Sequence, residues 1–319
     1  MKTKTTKGPQ MKTKIPFTVV MPAYNEEEGI AKVIDEVKGY ADKLIVVDDG
    51  SKDRTRQLAE ECARKHSGVA VVSHPKNKGK VAAILTGIKQ AKTDVVVLID
   101  ADHTYPAKDI PILVKHIEDG SDLVLGNRFA DGLKNIPAFN RIGNGMFSFL
   151  ISFASGQEIA DGQTGFRAFR KGMLDDLDIR SNGLEFETEM TIKAAINGYK
   201  VEEVPIEYRK RIGKSKLNPV KDGYRMLTAI LRSGYSQMSI ISKGFALPGL
   251  FIALVGVLFM IVSAWDYVSV GKLSHEYYPL LAVFFALAGT QLITLAVFSD
   301  VQQKKLSRIE RDVSGLKKK

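Results

Sequence analysis

Five short apolar segments recur between residues 17 and 128, each ending in polar or turn residues: FTVVMPAY, KLIVVDDG, VAVVSH, DVVVLIDAD and SDLVLGNR. Between several of them lie helix-like stretches, EEGIAKVIDEVKGY, RTRQLAEECARKH, KVAAILTGIKQA and PILVKHIEDG. Strands apolar on both faces, alternating with helices, predict an α/β domain with a mainly parallel sheet and helices on both faces. In such a sheet ligands gather at the carboxyl ends of the strands. The residues that end the strands therefore draw attention: Pro22, Tyr24 and Glu26 after the first, Asp48 and Asp49 after the second, Asp100 and Asp102 after the fourth, Arg128 after the fifth.

The pattern changes beyond residue 221. In DGYRMLTAILRSGYSQM, residues 222–238, Tyr224, Leu227, Leu231, Tyr235 and Met238 recur at intervals of three or four. This spacing predicts an amphipathic helix within 222–243, suited to a membrane interface. No residue from Gly244 to Trp265 is charged, and none from Tyr277 to Ser299. Each run is long enough to cross about 30 Å of hydrocarbon, which predicts a two-helix transmembrane hairpin over 244–299. The connector 266–276 holds one lysine and two acids, whereas Lys304, Lys305, Arg308, Arg311 and a terminal KKK follow the second run. That asymmetry predicts an integral membrane protein with its catalytic domain, residues 15–221, and both termini on the cytoplasmic side.

The ends are basic. Residues 1–14 carry five lysines and no acid, with no apolar run that would make a signal peptide, and predict a disordered tail. The repeated MKTK makes Met11 a second candidate start. In the tail 300–319, Leu306, Ile309, Val313 and Leu316 form a short apolar stripe, suited to the inner leaflet or to a homo-oligomer.

Charge narrows the partners. The net charge of +10 over 319 residues points to an anionic partner. The cations cluster beside the membrane elements rather than along a soluble groove, which argues against nucleic acid. A single cysteine, Cys62, excludes a disulfide framework.

The acid pair is the first sign of a reaction. In an extended segment residues i and i+2 point the same way, so Asp100 and Asp102 present two carboxylates to one point. Like charges held close call for a proton or a cation between them. Mg2+ or Mn2+ suits such oxygen ligands and keeps places for water and phosphate. A pair that merely caps the following helix, starting near Pro106, accounts for the two acids equally well. No GxxxxGK[ST] and no GxGxxG follows a strand, so a nucleotide would be held otherwise, with Asp48 or Asp49 accepting from base or ribose and Tyr24 packing on a ring.

VVMPAYNEEEGI, VVDDGSKDRT, NKGKVAAILTGI, IDADHTYPAKDI, GNR and GFRAFRK follow one another as in glycosyltransferase family 2, the inverting GT-A fold. With YRKRIGKSKLNP and two terminal spans, the chain resembles the polyprenyl-phosphate glycosyltransferases of the dolichyl-phosphate mannose synthase type over residues 16 to 300. The resemblance implies that Pro22, Tyr24, Glu26, Val47 and Asp49 surround the nucleotide. It makes Asp100-Ala101-Asp102 the DxD motif that bridges Mg2+ or Mn2+ to the donor diphosphate. It turns Arg128 and the 209 to 216 segment toward donor and lipid phosphates; Arg141, Lys210, Arg211 and Lys216 are the further acceptor-site candidates, and Asp100, Asp102 and Arg128 the catalytic ones. Members of the synthase group often have Gln two positions after the second Asp, where this chain has Thr104, a weaker candidate for a third metal ligand.

The expected reaction is inverting transfer of a hexose from a nucleotide sugar, GDP-mannose or a UDP-sugar, to a polyprenyl phosphate at the membrane. A phosphomonoester is largely ionised at neutral pH, so it attacks without a strong general base. Glu185, Glu187 and Glu189 in LEFETEM then either orient cations or sugar hydroxyls, or serve as base for a hydroxyl acceptor. Two other functions fit the same features: transfer to a hydroxyl of a lipid-linked glycan, and a membrane-tethered nucleotide-sugar sensor. The intact DxD and the basic segment argue against the sensor.

Overall fold

In the computed structural model the chain divides into two compact units, Met1–Ser233 and Gly234–Lys319. The structure describes residues 13–130, 138–181, 183, 185–213, 219–236, 238–273 and 275–316, without the side chains of 138–144, 219–222, 304, 305 and 307–316. The side chain of Arg141, all of Lys214 and Lys216, and the stripe side chains of Ile309, Val313 and Leu316 thus lie outside the described residues, as do residues 1–12 of the expected tail.

The first unit runs β1 Phe17–Ala23, α1 Ile30–Lys38, β2 Leu44–Asp48, α2 Thr55–Lys65, β3 Val69–Ser73, α3 Lys80–Gln90, β4 Val95–Leu98, α4 Ile110–Glu118 and β5 Leu123–Asn127. It continues with α5 Ala138–Ser155, β6 Arg167–Arg170, α6 Met173–Asp176, α7 Phe186–Ile196, β7 Val201–Pro205 and most of α8, Pro219–Ser236, whose last three residues fall past the boundary. The seven strands form one sheet in the order β3-β2-β1-β4-β6-β5-β7, parallel except for β6. This is the mixed GT-A sheet.

The apolar runs form strands because both faces are covered. Along β1, Val19 and Met21 enter one core with the inner faces of α1, α2 and α4, while Val20 enters the other with α3, α5, α7 and α8. On β4, Val97 and Val96 divide the same way. The period of two is therefore present but invisible in the sequence, since every position is apolar.

Two strands lie outside the expected five. β6 is four residues, RAFR, with Arg167 wholly buried at its start. β7, VEEVP, lies at the sheet edge with only Val204 buried. Neither carries an apolar run, so pairing with β5 and β4 rather than local preference makes them strands.

The second unit holds α9, Ile240–Val270, and α10, Tyr278–Leu316. Both are long and apolar enough to cross a membrane. Ser239 caps α9, its hydroxyl accepting from the Ser242 N–H at 2.9 Å, and Gly271 ends it in the left-handed region with φ 74°. The two helices meet along small residues. A Cβ added at Gly256 would lie 2.6 Å from the Ala286 backbone nitrogen, so only glycine admits this approach.

Candidate active site

The acid pair sits where the sheet predicts, just past the carboxyl end of β4. Asp102 does not cap the next helix, because α4 begins only at Ile110 after a short 3-10 turn at Ala107–Asp109. Instead Asp102 Oδ1 accepts from the Thr104 backbone N–H at 3.0 Å and the Thr104 hydroxyl at 2.6 Å. Thr104 thus orients Asp102, and His103 between them adopts φ 67°.

Each acid faces a cation. Asp100 Oδ1 lies 2.8 Å from Lys80 Nζ, and Asp102 Oδ2 lies 3.1 Å from Arg211 Nη1. Lys80 also reaches Glu187 Oε1 at 3.0 Å, and Arg211 Nη2 donates to Glu26 Oε1 at 2.8 Å. Burial opposes the Lys80 charge, but the Asp100 and Glu187 carboxylates outweigh it and hold its pKa above the ordinary lysine value. Two carboxylates with cations beside them are a donor set suited to a hard divalent ion that completes its shell with phosphate and water. Among the described residues no cluster of three or more acids, histidines or cysteines would hold a metal by protein alone. Two acids alone fit a divalent ion only if other ligands complete its shell.

Gly165 makes room for this arrangement. A Cβ there would lie 2.8 Å from Asp100 Oδ2 and 3.3 Å from Lys80 Nζ.

The basic segment runs alongside the pair. Arg209 N–H donates to the Thr104 carbonyl at 2.9 Å and Ile212 N–H to the Asp102 carbonyl at 3.0 Å, so residues 209–212 lie along the loop 102–104. Arg209 also meets Glu36 at 3.0 Å, with His103 Nε2 2.9 Å from the same carboxylate. Lys210 is exposed.

The strand ends after β1 and β2 are knit together. Pro22 and Val47 are register partners on adjacent strands. Asn25 N–H donates to Ser51 at 2.9 Å and Glu26 N–H to Thr55 at 2.7 Å. Asp49 is buried and accepts from the Lys78 and Gly79 N–H groups at 2.9 and 2.8 Å, with His74 Nδ1 2.7 Å from Oδ1. It fixes the start of α3 and thereby aims Lys80 at Asp100.

Arg128 is held by Asp161. Its Nε and Nη2 donate to the two carboxylate oxygens at 2.7 Å each, and its guanidinium packs 5.5 Å from the Tyr208 ring centre. Burial disfavours the charge; Tyr105, Asp161 and Tyr208 more than offset this and raise its pKa. Glu203 of β7 supports Asp161 in turn, accepting its backbone N–H at 2.7 Å. Arg167 is wholly buried and donates to the carbonyls of Thr164, Gly162 and Glu187. Burial lowers its pKa to about 10, and its place is structural.

Lys80, Asp161 and Gly165 are site residues that the sequence reading does not single out, whereas Glu187 is one of its three acids in LEFETEM. NKGK and DGQTGFR hold those three, and their place beside a strand end is the available signal.

The description "Glycosyl transferase family 2" matches residues 18–178. The chain is 37% identical over 219 residues to a dolichyl-phosphate hexose transferase of Haloferax volcanii, covering 68% of this chain and 92% of that protein. It is 33% identical over 235 residues to a UDP-N-acetylglucosamine–dolichyl-phosphate N-acetylglucosaminyltransferase of Methanococcus voltae, covering 66% and 94%. Its fold is similar to that of glucosyl-3-phosphoglycerate synthase from Mycobacterium tuberculosis in complex with Mn2+, UDP and phosphoglyceric acid. That likeness has a TM-score of 0.53 at 23% identity and covers 69% of this chain and 79% of that one.

Proposed function

From the premise that the chain belongs to glycosyltransferase family 2, we propose that it transfers a hexose, with inversion, from a nucleotide sugar to a polyprenyl phosphate at the cytoplasmic membrane face. The observation that supports this reading is the apposition of Arg209–Ile212 and the loop 102–104, with the Arg211 guanidinium 3.1 Å from Asp102. The relatives' names, which pair dolichyl phosphate with different sugars, support the acceptor and leave the donor sugar to experiment.

In this reading Pro22, Tyr24, Glu26, Val47 and Asp49 frame the nucleoside, and Asp100, Ala101 and Asp102 lie against the diphosphate. Asp100 and Asp102 hold Mg2+ or Mn2+, with Thr104 orienting Asp102. The bound ion supplies charge neutralisation of the departing nucleoside diphosphate. Lys80 adds a fixed positive charge on the same side. Arg128, Lys210 and Arg211, with Arg141 and Lys216, bind the acceptor phosphate, for which the planar guanidinium is well matched. One phosphate oxygen forms the new bond to the anomeric carbon as the bond to the diphosphate oxygen breaks. The work is positioning and electrostatic stabilisation.

The membrane reading has two supports. α9 and α10 are candidate spans, and α8 stops three residues before α9 begins. On α8 the expected stripe stays largely unpacked, with Tyr224 70% and Leu231 60% exposed, while Ala229, Ile230 and Ser233 turn inward. α5 shows the same division, with Ile151 buried and Met146, Phe149 and Phe153 exposed. Both faces suit lipid headgroup depth.

Incubating the full chain with a polyprenyl phosphate, Mn2+ and a panel of nucleotide sugars tests the proposal. Formation of a polyprenyl-phosphate sugar from at least one donor is expected. Transfer to the dephosphorylated polyprenol at an equal rate would overturn the phosphate-acceptor reading.

A further inference from the structure

α7 presents two buried acids two positions apart, and their surroundings differ. Glu189 is satisfied by protein: it accepts from the Ser181 N–H at 2.8 Å and the Arg180 N–H at 3.3 Å, and Lys193 lies 2.8 Å away. Glu187 is equally buried, at 3% exposure, but neither carboxylate oxygen has a hydrogen-bond partner among the described residues. Lys80 meets Oε1 at 3.0 Å as an ion pair only. The Glu187 backbone is fixed, its carbonyl accepting from Arg167 Nη1 at 2.9 Å and the Thr191 hydroxyl at 2.9 Å.

A buried charged acceptor without donors is unfavourable, and such groups call for an explanation. The charge itself is compensated by Lys80; what Glu187 lacks is hydrogen-bond donors. A carboxylate can only accept, so its complement is a group rich in O–H or N–H donors. The position narrows the choice. The same Lys80 ammonium touches Asp100, which places Glu187 one cation away from the first DxD acid, on the α7 side. Phosphates, being acceptors themselves, would be repelled there. The ring hydroxyls of a sugar attached to a diphosphate at Asp100 are donors within that neighbourhood.

We propose that Glu187 is a specificity-determining residue that accepts a hydrogen bond from a hydroxyl of the donor hexose, with Lys80 holding the carboxylate in place beside Asp100. The inference rests on the nucleotide-sugar reading given above and adds the sugar subsite to it. A site built to pair with a hydroxyl discriminates strongly against a sugar that lacks it, because the buried carboxylate is then left unpaired.

The test compares full-length parent with Glu187→Gln and Glu187→Asp. Calorimetry measures binding of the free nucleoside diphosphate, of the nucleotide sugar the parent uses, and of analogues each lacking one ring hydroxyl. Glu187→Gln should weaken the nucleotide sugar tenfold or more, leave the nucleoside diphosphate within twofold, and bind one deoxy analogue as the parent does. Glu187→Asp keeps the charge beside Lys80 but shortens the reach, and should show the same selective loss; it serves if the Gln variant does not fold. Equal weakening of nucleoside diphosphate and nucleotide sugar would mean that Glu187 acts only through Lys80 and would overturn the inference, as would unchanged affinity for both. A parent that transfers sugar normally alongside either result leaves the transferase reading standing. A parent that binds no nucleotide sugar overturns that reading, and this one with it.

Discussion

Arg211 Nη1 lies 3.1 Å from Asp102 Oδ2 while its Nη2 lies 2.8 Å from Glu26 Oε1, so one guanidinium links the second DxD acid to the loop after β1. A metal held by Asp102 competes with that cation for the same carboxylate. Replacing Arg211 by Ala should therefore lower the Mn2+ concentration for half-maximal donor binding. The pair is partly exposed, so a threefold to tenfold shift, about 1 kcal/mol, is expected. The same variant should raise the KM for lipid phosphate. A Mn2+ titration followed by donor binding reads the first effect, and a higher metal requirement in the variant would refute the competition.

The acids themselves should be indispensable. Asp100→Asn and Asp102→Asn each remove charge from the proposed metal site and should abolish most transfer while leaving the thermal midpoint close to the parent's. Initial rates with and without excess EDTA check the assignment. Full activity in EDTA, or a variant as fast as the parent, would exclude a metal at this pair.

Gly165→Ala tests the packing behind the pair. The new methyl would lie 2.8 Å from Asp100 Oδ2 and 3.3 Å from Lys80 Nζ, too close to either without movement. Both atoms end side chains that can shift, so the fold should hold while the two groups move. The change should appear chiefly as weaker nucleoside diphosphate binding, since the atoms displaced belong to the proposed donor site. Calorimetry with the free diphosphate measures it.

Much of this site was legible in the sequence and some was not, for identifiable reasons. Asp100 and Asp102 stood out because two acids end an apolar run, and β4 places them at the sheet edge. Lys80 did not, and Glu187 was not distinguishable from Glu185 and Glu189, because each belongs to a helix start and the two meet only when α3 and α7 pack on the same sheet face. Arg167 in GFRAFRK carries a charge that suits a surface or a phosphate, yet antiparallel pairing of β6 with β4 buries it. Charge type can be read from sequence, but burial of a short mixed strand depends on its partners.

Glu189 should be structural where Glu187 is functional. It is buried against Lys193, and Ser181 donates both its N–H and its hydroxyl to it; burial would raise its pKa, but the Lys193 and Ser181 hydrogen bonds hold it below the ordinary glutamate value. Removing one partner of such a pair strands the other charge and costs about 3–5 kcal/mol. Glu189→Ala should lower the unfolding free energy by that amount, measured by denaturant titration of the full chain in detergent. Because the folded pKa is depressed, the contribution is present above the unfolded glutamate pKa and fades as pH falls through the folded value. A variant as stable as the parent at neutral pH would contradict this.

The exposed face of α5 offers the last expectation, and it separates anchoring from presentation. Met146, Phe149 and Phe153 are 52%, 69% and 61% exposed, and they recur at three and four positions along one helix whose opposite side, at Ile151, is buried. A soluble surface seldom presents three large apolar side chains in a row, whereas a helix lying at headgroup depth does. α9 and α10 are each long and apolar enough to cross a bilayer without help from α5. Replacing all three residues by Ser should thus leave membrane retention unchanged. It should instead lower the rate with a long polyprenyl phosphate in vesicles, because on the proposed reading the acceptor phosphate sits at a fixed depth and the altered helix no longer holds the active site there. The rate with a short, water-soluble prenyl phosphate should stay within about twofold of the parent's, since a freely diffusing acceptor does not need the domain held at that depth. Parallel assays with the two acceptors decide the matter. Equal loss on both would place the α5 face in the fold or the chemistry, and no loss on either would remove it from membrane presentation.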